Sequence, residues 1–336
     1  MKVIRLHGPR DLRLHDEPAP TPAAGEEVVR VTAVGVCGSD VHWFAEGGIG
    51  VASLTYPMVM GHEFAGVVET GPLKGQRVAV DPAIPCGHCD YCVEGDPNLC
   101  TNMRFAADGS NDGALRERAA WPAHCLIPLP DSLSDDDGVL LEPLGVAIFA
   151  ADLGHIRPAQ TVGVFGCGSV GLLTLQVARA AGATQLFATD RVPARLDLAR
   201  GYGATVFHAD DPDRVPAILK MTGGHGVDLA FEAAGSDNAI DDAIHTARRG
   251  ARVVLIGIPV EDRSSFKASE ARRKGLTLML VRRSKNVYGR AIRLAQAGLV
   301  DLRPLATHHF PLEQTQAAFE TAQRREGVKV IINPTR

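Results

Sequence analysis

A thiol, an imidazole and a carboxylate fall close together early in the chain: Cys37 opens the stretch 37–42, and His62 and Glu63 follow within 61–66. These are the donors that zinc uses when one coordination position stays open for a substrate. Ser39 and His42 lie beside the thiol. The hydroxyl can take a proton from an alcohol on the metal, and the imidazole can carry it onward, because it changes charge near neutral pH. The plainer reading is a small buried thiol closing the apolar run 31–36, with His62 an ordinary core residue. A cofactor site elsewhere in the chain weighs against that reading.

Residues 161–190 supply one. An apolar run, 161–165, leads into Gly166, Gly168 and Gly171, a helix-like segment covers 172–181, and a second apolar run, 185–189, ends on Asp190. Glycines spaced G-x-G-x-x-G between a strand and a helix, with an acid about 20 residues later, fit a dinucleotide fingerprint. Gly166 permits the tight turn, Gly168 lets a pyrophosphate approach the backbone amides, and Gly171 lets the helix pack against the sheet. Asp190 would accept hydrogen bonds from ribose hydroxyls and repel a 2′-phosphate, which favours NAD over NADP. Arg191 beside it would tolerate that phosphate. Ser169 and Val170 inside the turn, and Arg195 just beyond Asp190, complete the expected cofactor contacts. Cys167 is expected to be an inert filler. Gly257, at a strand end, either lines the nicotinamide or is an ordinary strand terminus.

A second group of thiols, Cys86, Cys89, Cys92 and Cys100, falls in a segment rich in glycine, proline and polar residues. Such a segment cannot fix its shape by burial, whereas one zinc held by four thiolates can. His88 between them is expected to be exposed loop. Glu142 stands in the apolar string 140–144, where an unpartnered carboxylate is costly. It is either a structural hydrogen-bonding group or part of the zinc site.

The elements that must position these groups suggest two domains, because 336 residues exceed what one hydrophobic core usually serves. Hydrophobic residues at 45% and charged residues at 22% describe an ordinary globular chain. A net charge of -4, with no basic cluster larger than Arg272, Arg273 and Lys274, argues against nucleic acid. That trio is expected to solvate a loop. No apolar run is long enough for a membrane span, the N-terminus carries no secretory signal, and seven cysteines at ligand-like spacings fit a reducing compartment, so a cytoplasmic protein is expected.

Residues 1 to about 80 alternate apolar and polar positions over short runs, the pattern of an all-β module with Cys37 and His62 at strand or loop ends. An acidic helix start is expected at 131–137, capped by Ser134. From about 154, apolar runs alternate with helix-length segments, predicting a parallel α/β sheet. The further strands are read at 204–207, 226–234, 251–258 and 276–282, and helices at 215–221, 237–247 and 286–297. After 302, strand-like pieces at 307–310 and 328–332 surround a helix at 312–323, and this tail is expected to pack on the first module.

The order of these motifs resembles that of the zinc-dependent medium-chain dehydrogenases over nearly the whole chain, and is most similar to their polyol branch, the sorbitol and xylitol dehydrogenases. The resemblance implies a Rossmann doubly wound parallel sheet domain (146–284), plus a mainly β, GroES-like catalytic domain (1–145, with a structural zinc lobe near 85–101), to which 285–336 return. It implies a catalytic zinc on Cys37, His62 and Glu63, with Glu142 at the metal or at its bound water, and a structural zinc on Cys86, Cys89, Cys92 and Cys100. It further implies NAD as cofactor, Ser39 and His42 as a proton path, and Trp43 and Arg283 at the substrate. The expected reaction converts a secondary hydroxyl of a polyol or sugar acid to a ketone in a homodimer or homotetramer. Serine at 284 and glycine at 48 depart from the sorbitol dehydrogenase pattern, so L-threonine or a simple alcohol stays open as substrate, as does a non-catalytic NAD-binding protein with structural zinc alone.

Overall fold

Valine-rich runs early in the chain become strands of a seven-stranded sheet in the first of two units. The computed structural model describes residues 1–335. The first unit takes 1–142, Tyr288–Gln296 and the chain from Leu302 onward; the second takes Pro143–Val287 and Ala297–Asp301. In the first unit the sheet order is Leu126–Pro128, Arg77–Val80, Glu63–Val68, Glu26–Gly35, Lys329–Asn333 and Ala306–Pro311, with Arg118–Pro122 also paired to Glu26–Gly35. Val29, Val31, Val34, Phe64, Val78 and Val80 point into one buried cluster. The C-terminal strand joins this sheet antiparallel, with Ile331 opposite Gly35 and Ile332 opposite Val34, so the tail does pack on the first module.

The expectation of strands and loops alone fails at one place that matters. Gly38–Glu46 is a helix, and it carries Ser39, His42 and Trp43. Local capping overrides the short apolar pattern. Cys37 is the extended N-cap residue, its amide donates to Asp40 Oδ2 at 2.9 Å, and Gly47 closes the other end at φ 71°, donating to the Trp43 carbonyl at 2.9 Å. The buried residues Asp40, Trp43 and Phe44 fall at i, i+3 and i+4, one face of a helix.

The long helix Asp135–Gly154 begins as expected at Ser134. The Ser134 hydroxyl accepts from the Asp137 amide at 3.1 Å while Asp137 Oδ2 accepts from the Ser134 amide at 2.8 Å, a capping box. Pro143 sits inside this helix, and the division between the units falls directly before it.

In the second unit six strands run parallel in the order Ala204–His208, Gln185–Asp190, Thr161–Phe165, Val227–Glu232, Ala247–Leu255 and Thr277–Leu280. The strand order reverses between Thr161–Phe165 and Val227–Glu232, and in such a sheet the crevice at the carboxyl ends of the strands beside this point is where ligands bind. Boundaries shift from the sequence reading. The fingerprint helix starts at Ser169, the fifth strand begins at Ala247, and helices at Pro193–Gly201 and Ala268–Lys274 were not anticipated. The basic trio therefore lies on a helix, where Lys274 Nζ donates to the carbonyls of Ile244, His245 and Ala247 instead of solvating a loop. Among the described residues, no helix is long and apolar enough to cross a membrane.

Candidate metal and dinucleotide sites

The first unit brings Cys37, His62 and Glu63 together, with one ligand atom from each lying within 4.8 Å of the others. Asp40 is the clamp. From the first turn of the Gly38–Glu46 helix it accepts from the Cys37 amide through Oδ2 and from the Gly61 amide at 3.3 Å through Oδ1, while Oδ1 also lies 3.4 Å from His62 Nδ1. A carboxylate on Nδ1 fixes the ring and leaves Nε2 as its other donor, an arrangement that recurs around metal-bound histidines. Phe105 packs against the imidazole, ring centroids 5.4 Å apart.

The electrostatics suit a divalent cation. Burial pulls the His62 pKa down, yet the Asp40 carboxylate and the Cys37 thiolate outweigh it and hold it well above the usual value. Burial pushes the Glu142 carboxyl up to about 7, with Glu63 adding to the rise. Anionic groups thus crowd a buried place where a dication would relieve them, and a thiolate, imidazole and carboxylate set is what zinc accepts. Glu142 is not one of the three converged donors; it bears on the site through its charge.

One residue of this site escaped the sequence reading. Lys329, 1% exposed, donates through Nζ to Glu63 Oε1 at 2.8 Å and Oε2 at 2.5 Å, and to the Val36 carbonyl at 3.3 Å. A carboxylate has about four lone-pair positions, so Glu63 can serve the lysine and still offer one to a metal. The signal is a lysine inside the apolar strand Lys329–Asn333, costly without a partner just as Glu142 is. Ser39 and His42 are half-buried on the helix that starts at Cys37, whereas Trp43, expected at the substrate, is only 3% exposed and packs in the core cluster with Phe44 and Met58. It does not present an open face. Arg283, half-buried, lies in the second unit with φ 56°.

The four lobe cysteines also converge within 4.8 Å. Backbone amides aim at the sulfurs, Cys86 N at Cys100 Sγ (3.2 Å) and Cys89 N at Cys86 Sγ (3.4 Å), which favours thiolate. The amides of Cys92 and Thr101 draw the Cys89 thiol down to about 6, while burial pushes Cys92 up to about 12. Four sulfurs this close cannot all ionise without a cation among them, so the donor set fits a tetrahedral zinc. His88 is exposed, as expected. Cys100→Ser is expected to remove one zinc per chain and lower the melting temperature while leaving NAD affinity unchanged; metal analysis and a nucleotide titration check it, and a full zinc complement in this variant contradicts the assignment.

In the second unit the fingerprint has the geometry its glycines suggested. Gly166 has φ 107°, which requires glycine, and a Cβ on Gly171 would collide with the Gly166 carbonyl. A Cβ on Gly168 would meet nothing within 4 Å, so the turn is open on that side, and no side chain caps the helix Ser169–Ala180. Its first amides, at Ser169, Val170 and Gly171, are left for an anion. Asp190 accepts from the Cys167 amide at 2.6 Å and the Val192 amide at 2.8 Å, which sets its carboxylate beside the turn. Arg191 pairs with Asp210 at 3.0 Å. Cys167 is fully buried with its thiol pKa raised by burial, in keeping with an inert filler. Gly257 follows the strand Ala247–Leu255 and packs on Gly235 and Glu232.

Two sequence families match the chain. The alcohol dehydrogenase GroES-like domain matches residues 23–131, and the zinc-binding dehydrogenase family matches 169–297. The sorbitol dehydrogenase of Bacillus subtilis (strain 168) is 34% identical over 345 residues, covering 100% of this chain and 98% of its own. Sorbitol dehydrogenase 2 of Saccharomyces cerevisiae is 37% identical, covering 96% and 95% respectively. An alcohol dehydrogenase from Escherichia coli CFT073, solved with NADH, superposes with a TM-score of 0.90 at 29% identity, covering 99% of each chain.

Proposed function

The chain belongs to the zinc-dependent medium-chain dehydrogenases, in the polyol branch, and on that premise we propose that it oxidises a secondary hydroxyl of a polyol or sugar to a ketone with hydride transfer to NAD. The observation that carries this is the convergence of the half-buried Cys37 with the buried His62 and Glu63. When bound, zinc lowers the pKa of an alcohol hydroxyl and NAD accepts the hydride.

The protein's own groups do the rest. Cys37, His62 and Glu63 would hold the metal, with Asp40 keeping the imidazole in one orientation and Lys329 opposing the charge of Glu63. Ser39 and His42, three apart on the Gly38–Glu46 helix, share a face. The serine hydroxyl would take the proton of the substrate while passing its own to the half-buried imidazole, which would release one to water. In the second unit the amides at Ser169–Gly171 would take the pyrophosphate, and Asp190 the adenosine ribose, with Arg195 and the backbone of Gly257 as further contacts.

The test is NADH formation over a panel of polyols, with sugar acids and L-threonine as further arms. Turnover of at least one vicinal diol is expected; silence on all polyols by zinc-replete protein overturns the reading. Asp190 also supports NAD over NADP, because its carboxylate would face the 2′ position. Asp190→Asn is expected to raise KM for NAD roughly tenfold, the scale of one lost charge-assisted hydrogen bond, and to narrow the preference over NADP. Steady-state kinetics with both cofactors checks it.

A further inference from the structure

Glu232 ends the fourth strand of the parallel sheet, 1% exposed, and nothing in the reaction described so far uses it. Its Oε1 accepts from three successive amides, those of Ala234 at 2.8 Å, Gly235 at 2.6 Å and Ser236 at 3.4 Å. The Glu232 carbonyl accepts from the amides of Ile256 at 2.8 Å and Gly257 at 3.2 Å, and the Gly257 amide also bears on the carboxylate. Burial raises its pKa, and the amides of Ala234, Gly235, Ser236 and Gly257 oppose the rise.

Three amides in a row around a left-handed residue, Gly235 at φ 68°, just before the helix Asp237–Thr246, form a cup that binds anions. Here the protein fills it with its own carboxylate. The filled cup stands against the fingerprint, since a Cβ on Gly166 would come within 2.7 Å of both Ala233 C and Ala234 N. It also locks a second loop, since a Cβ on Gly257 would stand 2.7 Å from Glu232 Oε2.

We propose that Glu232 is a positioning residue for the dinucleotide: its carboxylate occupies the cup at 234–236, holds that loop against 256–257, and leaves the amides at Ser169–Gly171 as the open anion site of the crevice. This rests on the NAD reading above. An empty cup would slacken the wall beside the fingerprint and offer the pyrophosphate a second, wrong seat.

Glu232→Gln keeps the volume and one acceptor oxygen but removes the charge and turns an N–H₂ group toward one of the backbone donors. In zinc-loaded enzyme it is expected to weaken NAD binding about tenfold or more by fluorescence titration, with kcat at saturating NAD changed less than about threefold and zinc content unchanged. In the absence of NAD, hydrogen exchange at the amides of 234–236 and 257 should quicken. Glu232→Ala empties the cup, and formate, but not chloride at equal ionic strength, should restore both NAD affinity and amide protection. A folded Glu232→Gln with wild-type NAD affinity, a folded Glu232→Ala that formate does not rescue, or global unfolding of both variants overturns the proposal. Absence of NAD binding by the unsubstituted protein would instead overturn the cofactor reading.

Discussion

Cys37→Ser is expected to lower kcat/KM on the order of 10³-fold while the fold survives. The size follows from what the metal contributes, several kcal/mol of charge stabilisation, at about 1.4 kcal/mol per tenfold. A serine hydroxyl is a poor zinc ligand, because zinc binds sulfur in preference to a neutral hydroxyl. The substitution is otherwise mild. Residue 37 is the N-cap of the Gly38–Glu46 helix, and serine is among the favoured N-cap residues, so local stability should hold or improve. Metal analysis should find the zinc of the four-cysteine lobe retained and that of the Cys37, His62 and Glu63 site lost. NAD affinity, a property of the other unit, should not change. Full turnover by a Cys37→Ser protein lacking this zinc would remove the metal from the mechanism.

The two units differed in how much their sequence disclosed, and the reason is the range over which each is stabilised. In the parallel sheet, each strand but the last is followed by its own crossover helix, so the switch between apolar runs and amphipathic segments is local; Thr161–Phe165 matches the apolar run of the sequence. The fingerprint was legible because a φ of 107° at Gly166 leaves one residue type. In the first unit, register depends on pairings such as Ile331 with Gly35, which no local pattern reports. The Gly38–Glu46 helix was missed because its two large apolar residues, Trp43 and Phe44, are adjacent and show no period by themselves; Asp40, the third buried position, is polar. The metal donors could be named from type and spacing. Asp40 could not, and Lys329 shows in the sequence only as a lysine in an apolar strand, because their roles depend on partners brought close by the fold. Glu232 is the same case in the second unit, an acid whose partners are backbone amides and therefore leave no trace in residue type.

Lys329→Met is expected to cost about 3–5 kcal/mol of stability, the range found when one member of a buried ion pair is removed and the other charge is stranded. Both side chains are enclosed, at 2% exposure for the lysine and 0% for Glu63, so water cannot take the place of the ammonium. Methionine fills nearly the same volume, which keeps a cavity from adding to the loss. The charge on Glu63, not the missing contact, should therefore account for the effect, and two comparisons isolate it. The double variant Glu63→Gln/Lys329→Met should recover most of the stability, because a neutral amide replaces the stranded carboxylate. The single variant should also suffer more after chelation than with zinc present, since the ion supplies positive charge to the same carboxylate. Urea unfolding of zinc-loaded and chelated protein measures both. Equal losses in the two forms would mean that Glu63 answers to Lys329 alone and does not share its charge with the metal.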